Sequence, residues 1–139
     1  MVTTVSERVT GGCYCGNIRV SLELSRAPIA YSPRACDCEF CRKHGAAWVS
    51  DPDGALRIQI TDDRELARYR QGSGSAEFVI CRVCGVVVAV TYLARHAAVN
   101  ARALDAAFAA DQVVSPKTLA PEDKTRRWQA VWFADVTFG

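Results

Sequence analysis

The chain has 139 residues and a formal charge of +2, with 50% hydrophobic and 23% charged residues. This balance predicts one ordinary globular domain over residues 1–139. It excludes a membrane span, which needs a run of about 18 apolar residues, and there is no basic stripe of the kind that binds nucleic acid. The first eight residues lack the features of a signal peptide, so we expect a cytoplasmic protein.

Short strands separated by turns make up most of the predicted structure. In the first of these segments, Ile18, Val20, Leu22 and Leu24 alternate on one face, which is typical of a half-buried strand. The apolar run 85–93 indicates a strand buried on both faces. Glycine, serine, proline and aspartate predict the turns. In chain order, the predicted strands are 19–24, 46–50, 56–60, 66–69, 77–80, 85–93 and 128–136, and the predicted turns are 50–54, 71–75 and 115–123.

Helix is predicted at few places. A helical turn is expected after Cys36, over about 39–44. The alanine-rich segment 101–112 has helical propensity, but it has no convincing cap and its uniform apolar pattern defines no face. Its structure stays open on these grounds. We expect Trp128, Trp132 and Phe133 to lie in the core or on a sheet face.

The seven cysteines fall into tight groups with the spacings C-x-C, C-x-C-x-x-C and C-x-x-C. An odd number of cysteines without an export signal argues against a disulfide framework, whereas thiolates at these spacings suit Zn²⁺. Two zinc ions bound by seven thiolates would lower the net charge by about three units. The +2 charge therefore gives no reason to expect an acidic partner. The groups are Cys13 and Cys15; Cys36, Cys38 and Cys41; and Cys81 and Cys84.

The first and last groups form a matched pair. Each places two cysteines in a tight turn that ends at Gly16 or Gly85 and leads into a strand-like segment. Two such turns facing each other predict a closed structural zinc site, whose ligands are Cys13, Cys15, Cys81 and Cys84. The alternative is a redox-active dithiol pair, but the βαβ pattern that accompanies such motifs is not evident.

The middle group, within "CDCEFCRKHG" (36–45), leaves three cysteines for a second zinc ion. Three protein ligands with an open fourth position are typical of catalytic zinc, and a thiol substrate is a natural fourth ligand. The alternative is that His44, three residues after Cys41, closes a structural Cys₃His site. His96 is a more distant candidate. Asp37 and Glu39 are candidate ligands or acid–base groups, although residues at such positions usually face solvent.

Three segments in this order, "GGCYCGNIRV", "CDCEFCRKHGAAW" and "FVICRVCGV", resemble the glutathione-dependent formaldehyde-activating enzyme family, also called the GFA or CENP-V/GFA domain. The resemblance runs from about residue 6 to 135 and includes "VNARALD" (99–105). It implies a mainly β, zinc-bound fold of the Mss4-like (β-tent) type with little helix. It also implies the two zinc sites assigned above, with catalysis at Cys36, Cys38 and Cys41, and it favours a strand over 99–103.

The activity that the resemblance implies is the reversible joining of glutathione and formaldehyde to S-hydroxymethylglutathione, as a carbon–sulfur lyase. Arg42 and Lys43, with His44, are the nearest candidates to bind the carboxylates of glutathione. Tyr14, Phe40 and Trp48 are candidates to line a pocket beside the middle zinc. The alternatives are a non-catalytic zinc scaffold that binds a small molecule or a protein, and a thiol oxidoreductase, which would need a metal-free cysteine. The sequence does not indicate an oligomeric state.

Overall fold

A computed structural model describes residues 7–71 and 74–139. Residues 1–6, which are most of the segment without signal-peptide features, lie outside these ranges. Positions 72 and 73 of the predicted turn 71–75 also lie outside them. Within them the chain is mainly β, as predicted. In chain order the elements are β1 Glu7–Gly12, β2 Ile18–Leu24, β3 Arg34–Cys36, α1 Glu39–His44, β4 Trp48–Val49, β5 Ala55–Ile60, β6 Leu66–Arg70, β7 Ala76–Cys81, β8 Val87–Tyr92, β9 His96–Asn100, β10 Gln112–Val114, α2 Pro121–Val131 and β11 Asp135–Phe138.

The strands form two sheets. The smaller has the order β1-β2-β5-β11, and the larger has the order β10-β3-β4-β9-β8-β7-β6. The predicted alternation in β2 is confirmed, because Ile18, Val20, Leu22 and Leu24 are all buried. Burial of that face between the sheets fixes the register of β2, since a slip of one residue would expose the whole apolar set.

Strand β8 separates two hydrophobic cores. It is buried along almost its whole length, which confirms the prediction of a strand covered on both faces. Ala89 faces the first core with its cross-strand partners Val79 and Val99, whereas Val90 faces the second core with Phe78 and Ala98. The first core is mainly aliphatic, and the second contains Trp48, Phe78, Trp128 and Trp132.

Helix α1 confirms the predicted helical turn. Its N-cap is Cys38, whose Sγ accepts a hydrogen bond from the backbone N–H of Cys41. Its C-cap is Gly45, which has a left-handed φ of 60°, a conformation that glycine adopts without steric cost. Both ends of the helix are thus fixed by residues of the cysteine motif itself.

The predicted strand 128–136 is wrong except at its last two residues. Residues Pro121–Val131 form helix α2, and only Asp135–Phe138 form a strand. Proline at the first turn, followed by Glu122 and Asp123, is a helix-start signal. This signal lay within the segment interpreted as the turn 115–123. Trp128 and Val131 are therefore one helical turn apart rather than on a strand.

The alanine-rich segment 101–112 forms no α-helix. Strand β9 ends at Asn100, a 3₁₀ turn follows over Ala101–Ala103, and β10 begins at Gln112. The implied strand over 99–103 is therefore confirmed only at its first two residues. The backbone of Gly11 lies directly against this segment, because a Cβ on Gly11 would meet the carbonyl oxygen of Ala103 at 2.1 Å. This close backbone packing replaces the helix that local propensity favours.

In the described part of the chain, no helix combines the length and the apolar character needed to cross a bilayer.

Candidate metal centres and ligand pocket

The two outer cysteine groups meet in space. Each lies in a tight turn closed by a hydrogen bond from the glycine N–H: Gly16 donates to the carbonyl of Cys13 over 3.2 Å, and Gly85 to that of Cys81 over 2.9 Å. Both glycines have left-handed φ values, 87° and 81°. The two turns converge because β2 and β7–β8 approach each other across the first core, which contains Cys13 and Cys81 and packs against Cys84.

The geometry of this group fits a tetrahedral zinc ion. The Sγ atoms of Cys13 and Cys15 are 3.7 Å apart, and those of Cys15 and Cys81 are 3.5 Å apart. A ZnS₄ tetrahedron with Zn–S bonds of about 2.3 Å requires sulfur–sulfur distances of about 3.8 Å. The backbone N–H of Ile18 also points at the Sγ of Cys13, which stabilises a thiolate there. Cys13, Cys15, Cys81 and Cys84 can therefore hold a metal ion.

The middle group is assembled locally at the junction of β3 and α1. Cys36 is the last residue of β3, Cys38 is the N-cap of α1, and Cys41 is buried within the helix. Their Sγ atoms lie within 4.8 Å of one another, so these three residues can also hold a metal ion. Three thiolates leave one position of a tetrahedral ion to another ligand.

Each group contains one thiol that loses its proton readily. A hydrogen bond from the Cys41 thiol is the main cause that lowers the pKa of Cys36 to about 6. Burial opposes ionisation of Cys84, but hydrogen bonds from the backbone N–H groups of Cys15 and Val86 lower its pKa to about 6. The contact with Cys36 raises the pKa of Cys41, and burial raises that of Cys38, so one sulfur of the middle group holds the thiolate. A metal ion that binds there would release the protons of the other thiols.

Neither histidine belongs to a cysteine group in the described structure. His44 is exposed, and its ring packs on Phe40 with centroids 4.5 Å apart. His96 begins β9 and lies beside Tyr92. Among the residues that the structure describes, the three-cysteine group thus has no histidine within ligand distance.

The acidic candidates between the middle cysteines point elsewhere. Asp37 accepts a hydrogen bond of 2.5 Å from the hydroxyl of Ser115, and Glu39 forms an ion pair of 3.3 Å with Lys43. The Asp37 contact joins the loop of the middle cysteines to the segment that follows β10. Asp37 therefore ties two parts of the chain together at this site.

A pocket of about 330 Å³ opens beside the middle group and is lined by all three of its cysteines. Its apolar walls come from the second core and include Trp48, Phe78, Val90, Trp128 and Trp132. Trp48 thus lines the pocket as predicted, whereas Phe40 packs behind Phe78 and Tyr14 is 92% exposed, away from the pocket. Trp128 and Trp132 are core residues, as expected, and also pocket walls.

Cationic side chains line the same pocket. They are not Arg42 and Lys43, which border a second, neighbouring cavity with Asp37, Glu39 and Lys117. Lys117 lines both cavities. A ligand-binding role for Arg42, Lys43 and His44 stays a prediction. The cations of the cysteine-lined pocket are Arg34, Lys117, Lys124 and Arg127.

These cations could be found in the sequence only by a correct assignment of the local structure. Arg34 is two residues before Cys36 on β3, so both side chains leave the strand on the same side. Lys124, Arg127 and Trp128 have the i, i+3, i+4 spacing of one helix face, which was hidden by the strand prediction. Burial, and then the nearby charge of Arg127, lowers the pKa of Arg34 to about 10.

Comparison with known proteins agrees with this geometry. The sequence model of the family described as glutathione-dependent formaldehyde-activating enzyme matches residues 8–127. A crystal structure of a protein from Rhodobacter sphaeroides is similar over 94% of this chain and 99% of that one, with a TM-score of 0.56 and 23% identity. At this identity the likeness concerns the fold. No curated protein matches the chain.

Proposed function

Because the chain belongs to the glutathione-dependent formaldehyde-activating enzyme family, we propose that it acts at Cys36, Cys38 and Cys41 as a zinc-dependent carbon–sulfur lyase on a thiol–aldehyde adduct. The mainly β, Mss4-like fold and the two cysteine groups that can hold metal ions accord with this family. The substrate pair suggested by the family is glutathione and formaldehyde.

The position of the pocket carries this proposal. Cys36, Cys38 and Cys41 all line the 330 Å³ pocket, whereas no residue of the four-cysteine group lines it or the neighbouring cavity. A ligand can therefore reach the middle group through a cleft of the size that small molecules use. A zinc ion held there would keep a substrate sulfur in its thiolate form and polarise an aldehyde oxygen.

The reaction joins a thiol and an aldehyde without an oxidant or reductant. A carbon–sulfur bond forms, the carbonyl π bond opens, and the thiol proton ends on the former carbonyl oxygen; the lyase direction is the reverse. In this scheme Trp48, Trp128 and Trp132 exclude water from the reacting carbon, since these buried side chains line the pocket. Water exclusion strengthens the electrostatic attraction between pocket cations and a bound anion.

A second candidate function is a non-catalytic module that binds a small thiol. The observation that favours it is the composition of the pocket. Among the described residues that line it there is no aspartate, glutamate or histidine. The described lining therefore lacks a carboxylate or imidazole for general acid–base catalysis, and Lys117 and Lys124 are its amine groups. The two functions share thiol binding and differ in turnover.

Zinc-edge X-ray absorption of the metal-loaded protein tests thiol binding. On addition of glutathione we expect one more sulfur ligand on average in the three-cysteine site, whereas S-methylglutathione, which has no free thiol, should change nothing. A spectrum that already shows Cys₃His ligation and does not respond to thiols would contradict the proposal.

Turnover then separates the enzyme from the binding module. Exchange between ¹³C-formaldehyde and its glutathione adduct is measured by NMR against buffer alone and against Cys38→Ala, because the reaction also proceeds uncatalysed. A lyase accelerates exchange above both controls. Acceleration that is equal in Cys38→Ala, with its fold retained, would show that this site is not the catalyst.

Two further expectations complete the proposal. We place the protein in the cytoplasm, where the reducing environment keeps thiols available for metal binding, and all seven cysteines are free of disulfides in the structure. We also treat residues 1–139 as a single domain.

A further inference from the structure

The pocket beside Cys36, Cys38 and Cys41 has an excess of positive charge that the described chain does not neutralise. Among the described residues that line it, four side chains are cationic and none is a carboxylate. Three thiolates with one Zn²⁺ would carry about one negative charge, which leaves an excess of about three positive charges. Lys117 lies 3.8 Å from Asp37. In the described structure Arg34, Lys124 and Arg127 form no ion pair, although surface arginines elsewhere commonly do, as Arg64 with Asp62 and Arg68 with Glu77.

Arg34 is held in place by neutral groups. Its guanidinium donates one hydrogen bond of 2.6 Å to the hydroxyl of Ser50, and this hydroxyl donates to the carbonyl of Val131 at the end of α2 over 2.7 Å. The contact fixes the orientation of the guanidinium but uses only one of its five N–H donors. The other donors remain available to a ligand in the pocket.

Arg127, on helix α2, lines the same pocket as Arg34. It shares a helix face with Lys124 and with the buried Trp128, whereas the adjacent Arg126 is exposed and pairs with Asp123 over 3.6 Å. Two guanidinium groups that share one partly buried pocket repel each other. An arrangement of this kind is stabilised when an anion binds between them.

We propose that Arg34 and Arg127 form a carboxylate subsite, which makes the pocket selective for thiols that carry an acidic group. This inference rests on the proposed binding of a thiol at Cys36, Cys38 and Cys41. Arginine suits the role because its planar fork matches both oxygens of a carboxylate. Glutathione, which carries two carboxylates, meets the requirement, and so do smaller acidic thiols.

The spacing of the two subsites agrees with a small ligand. Arg34 and Cys36 are two residues apart on β3 and point to the same side, so their Cα atoms are about 7 Å apart. A ligand sulfur at the metal and a ligand carboxylate at Arg34 can thus belong to one short molecule. Its carbon chain would lie against the apolar lining of the same pocket, to which Trp48 and Trp128 belong.

Calorimetric titration of the zinc-loaded protein with three thiols of similar size tests the selectivity. The probes are 3-mercaptopropionate, the neutral 2-mercaptoethanol and the cationic cysteamine. We expect the acidic thiol to bind at least about tenfold more tightly than the neutral one, as charge-assisted hydrogen bonds imply, and cysteamine to bind most weakly. The advantage of the acidic thiol should fall as salt is raised.

Arg127→Met tests the assignment to this residue, because methionine keeps an apolar stem and removes the charge. We expect the affinity for 3-mercaptopropionate to fall about tenfold and that for 2-mercaptoethanol to change less than about twofold. The matched control is Arg126→Met on the same helix, which should leave both affinities unchanged. Circular dichroism and metal content, measured on each variant, exclude a loss of fold or of zinc.

The outcomes separate this inference from the proposed function. Equal affinity for acidic and neutral thiols, or an equal effect of Arg127→Met on both, would overturn the carboxylate subsite and leave thiol binding intact. Failure of all three thiols to bind would overturn both. A tenfold loss in Arg126→Met equal to that in Arg127→Met would show a general charge effect and would also overturn the subsite.

Discussion

The four-cysteine group and the three-cysteine group offer metal ions the same ligand atom but hold very different positions in the chain. Cys15 and Cys81 are separated by 66 residues and touch at 3.5 Å, whereas Cys36, Cys38 and Cys41 come from one strand end and one helix. A metal ion at the first group would hold together the two ends of a long loop. Its binding would offset the substantial entropic cost of closing that loop. A metal ion at the second group would join three residues that the end of β3 and helix α1 already hold close together.

The surroundings of the two groups also differ. In the first group Cys13 and Cys81 belong to the aliphatic core, Cys84 packs against it and Cys15 is exposed. The second group lines a cationic, aromatic pocket. The two groups therefore share their ligand atom and differ in the sequence distance that each spans and in the space beside it.

The largest expected difference between the groups is in folding. Cys81→Ser should prevent stable folding, because a structural zinc contributes on the order of 10 kcal/mol, about as much as the whole stability of a domain. Cys38→Ser should keep the fold and lose only the second metal. Circular dichroism and metal content per chain measure both effects. A cooperative melt in Cys81→Ser at the wild-type temperature would contradict the structural assignment.

Substitutions at two adjacent buried residues, Asp51 and Ser50, should have smaller effects on stability, and only the change at Ser50 should affect the pocket. Asp51 accepts hydrogen bonds from the backbone N–H of Ser25 and Asp53 and from the hydroxyls of Ser25 and Tyr31. Burial acts against its charge, but these bonds keep its pKa below the ordinary value. Asp51→Asn should therefore lower the free energy of unfolding by about 3 kcal/mol at pH 7, without changing thiol affinity, as denaturant titration and calorimetry would show.

Ser50→Ala is the matched change on the pocket side. Because Ser50 links Arg34 to the end of α2, we expect a stability loss of about 1 kcal/mol together with weaker binding of 3-mercaptopropionate. If Asp51→Asn weakened thiol binding as much as Ser50→Ala, the two regions would not be independent.

Two valines of neighbouring strands should show a difference in packing. Val99 is fully buried in the first core, and Val90 lines the pocket in the second. Val99→Ala should lower the free energy of unfolding by about 2 kcal/mol. Val90→Ala should cost about half as much, because one side of Val90 already borders open space, but it should change ligand affinity. Equal stability losses with no effect on binding would show that the pocket is closed in solution.

The smallest expected effect compares two lysines. Lys124 lines the cysteine pocket, and Lys43 borders the other cavity and pairs with Glu39. Lys124→Met should weaken binding of 3-mercaptopropionate a few-fold, as expected for one partly exposed charge, and Lys43→Met should not. A larger effect of Lys43→Met in the same calorimetric titration would support the binding role that the sequence predicted for Lys43.

Helix α2 shows why part of the pocket could not be predicted. The residues at its end and just after it, Trp128, Val131, Trp132 and Phe133, favour strand locally, while its helix-start residues resemble a turn. The pairing of Cys13 and Cys15 with Cys81 and Cys84 was predictable, because two matching turns of metal-binding spacing leave few other partners. The pocket cations could not be predicted in this way, since Arg34 and Arg127 are 93 residues apart in the sequence.

The sequence by itself determined the mainly β class, the division of the cysteines into a group of four and a group of three, the helical turn at Cys38 and the family. These features depend on local spacing and on alternation within single strands. Only the tertiary structure decided that the three-cysteine group opens onto a pocket, that His44 points away from it, and that Arg34 and Arg127 rather than Arg42 and Lys43 line it. The physical reason is that a pocket wall is formed by elements distant in sequence, whose contacts depend on how the sheets and α2 pack.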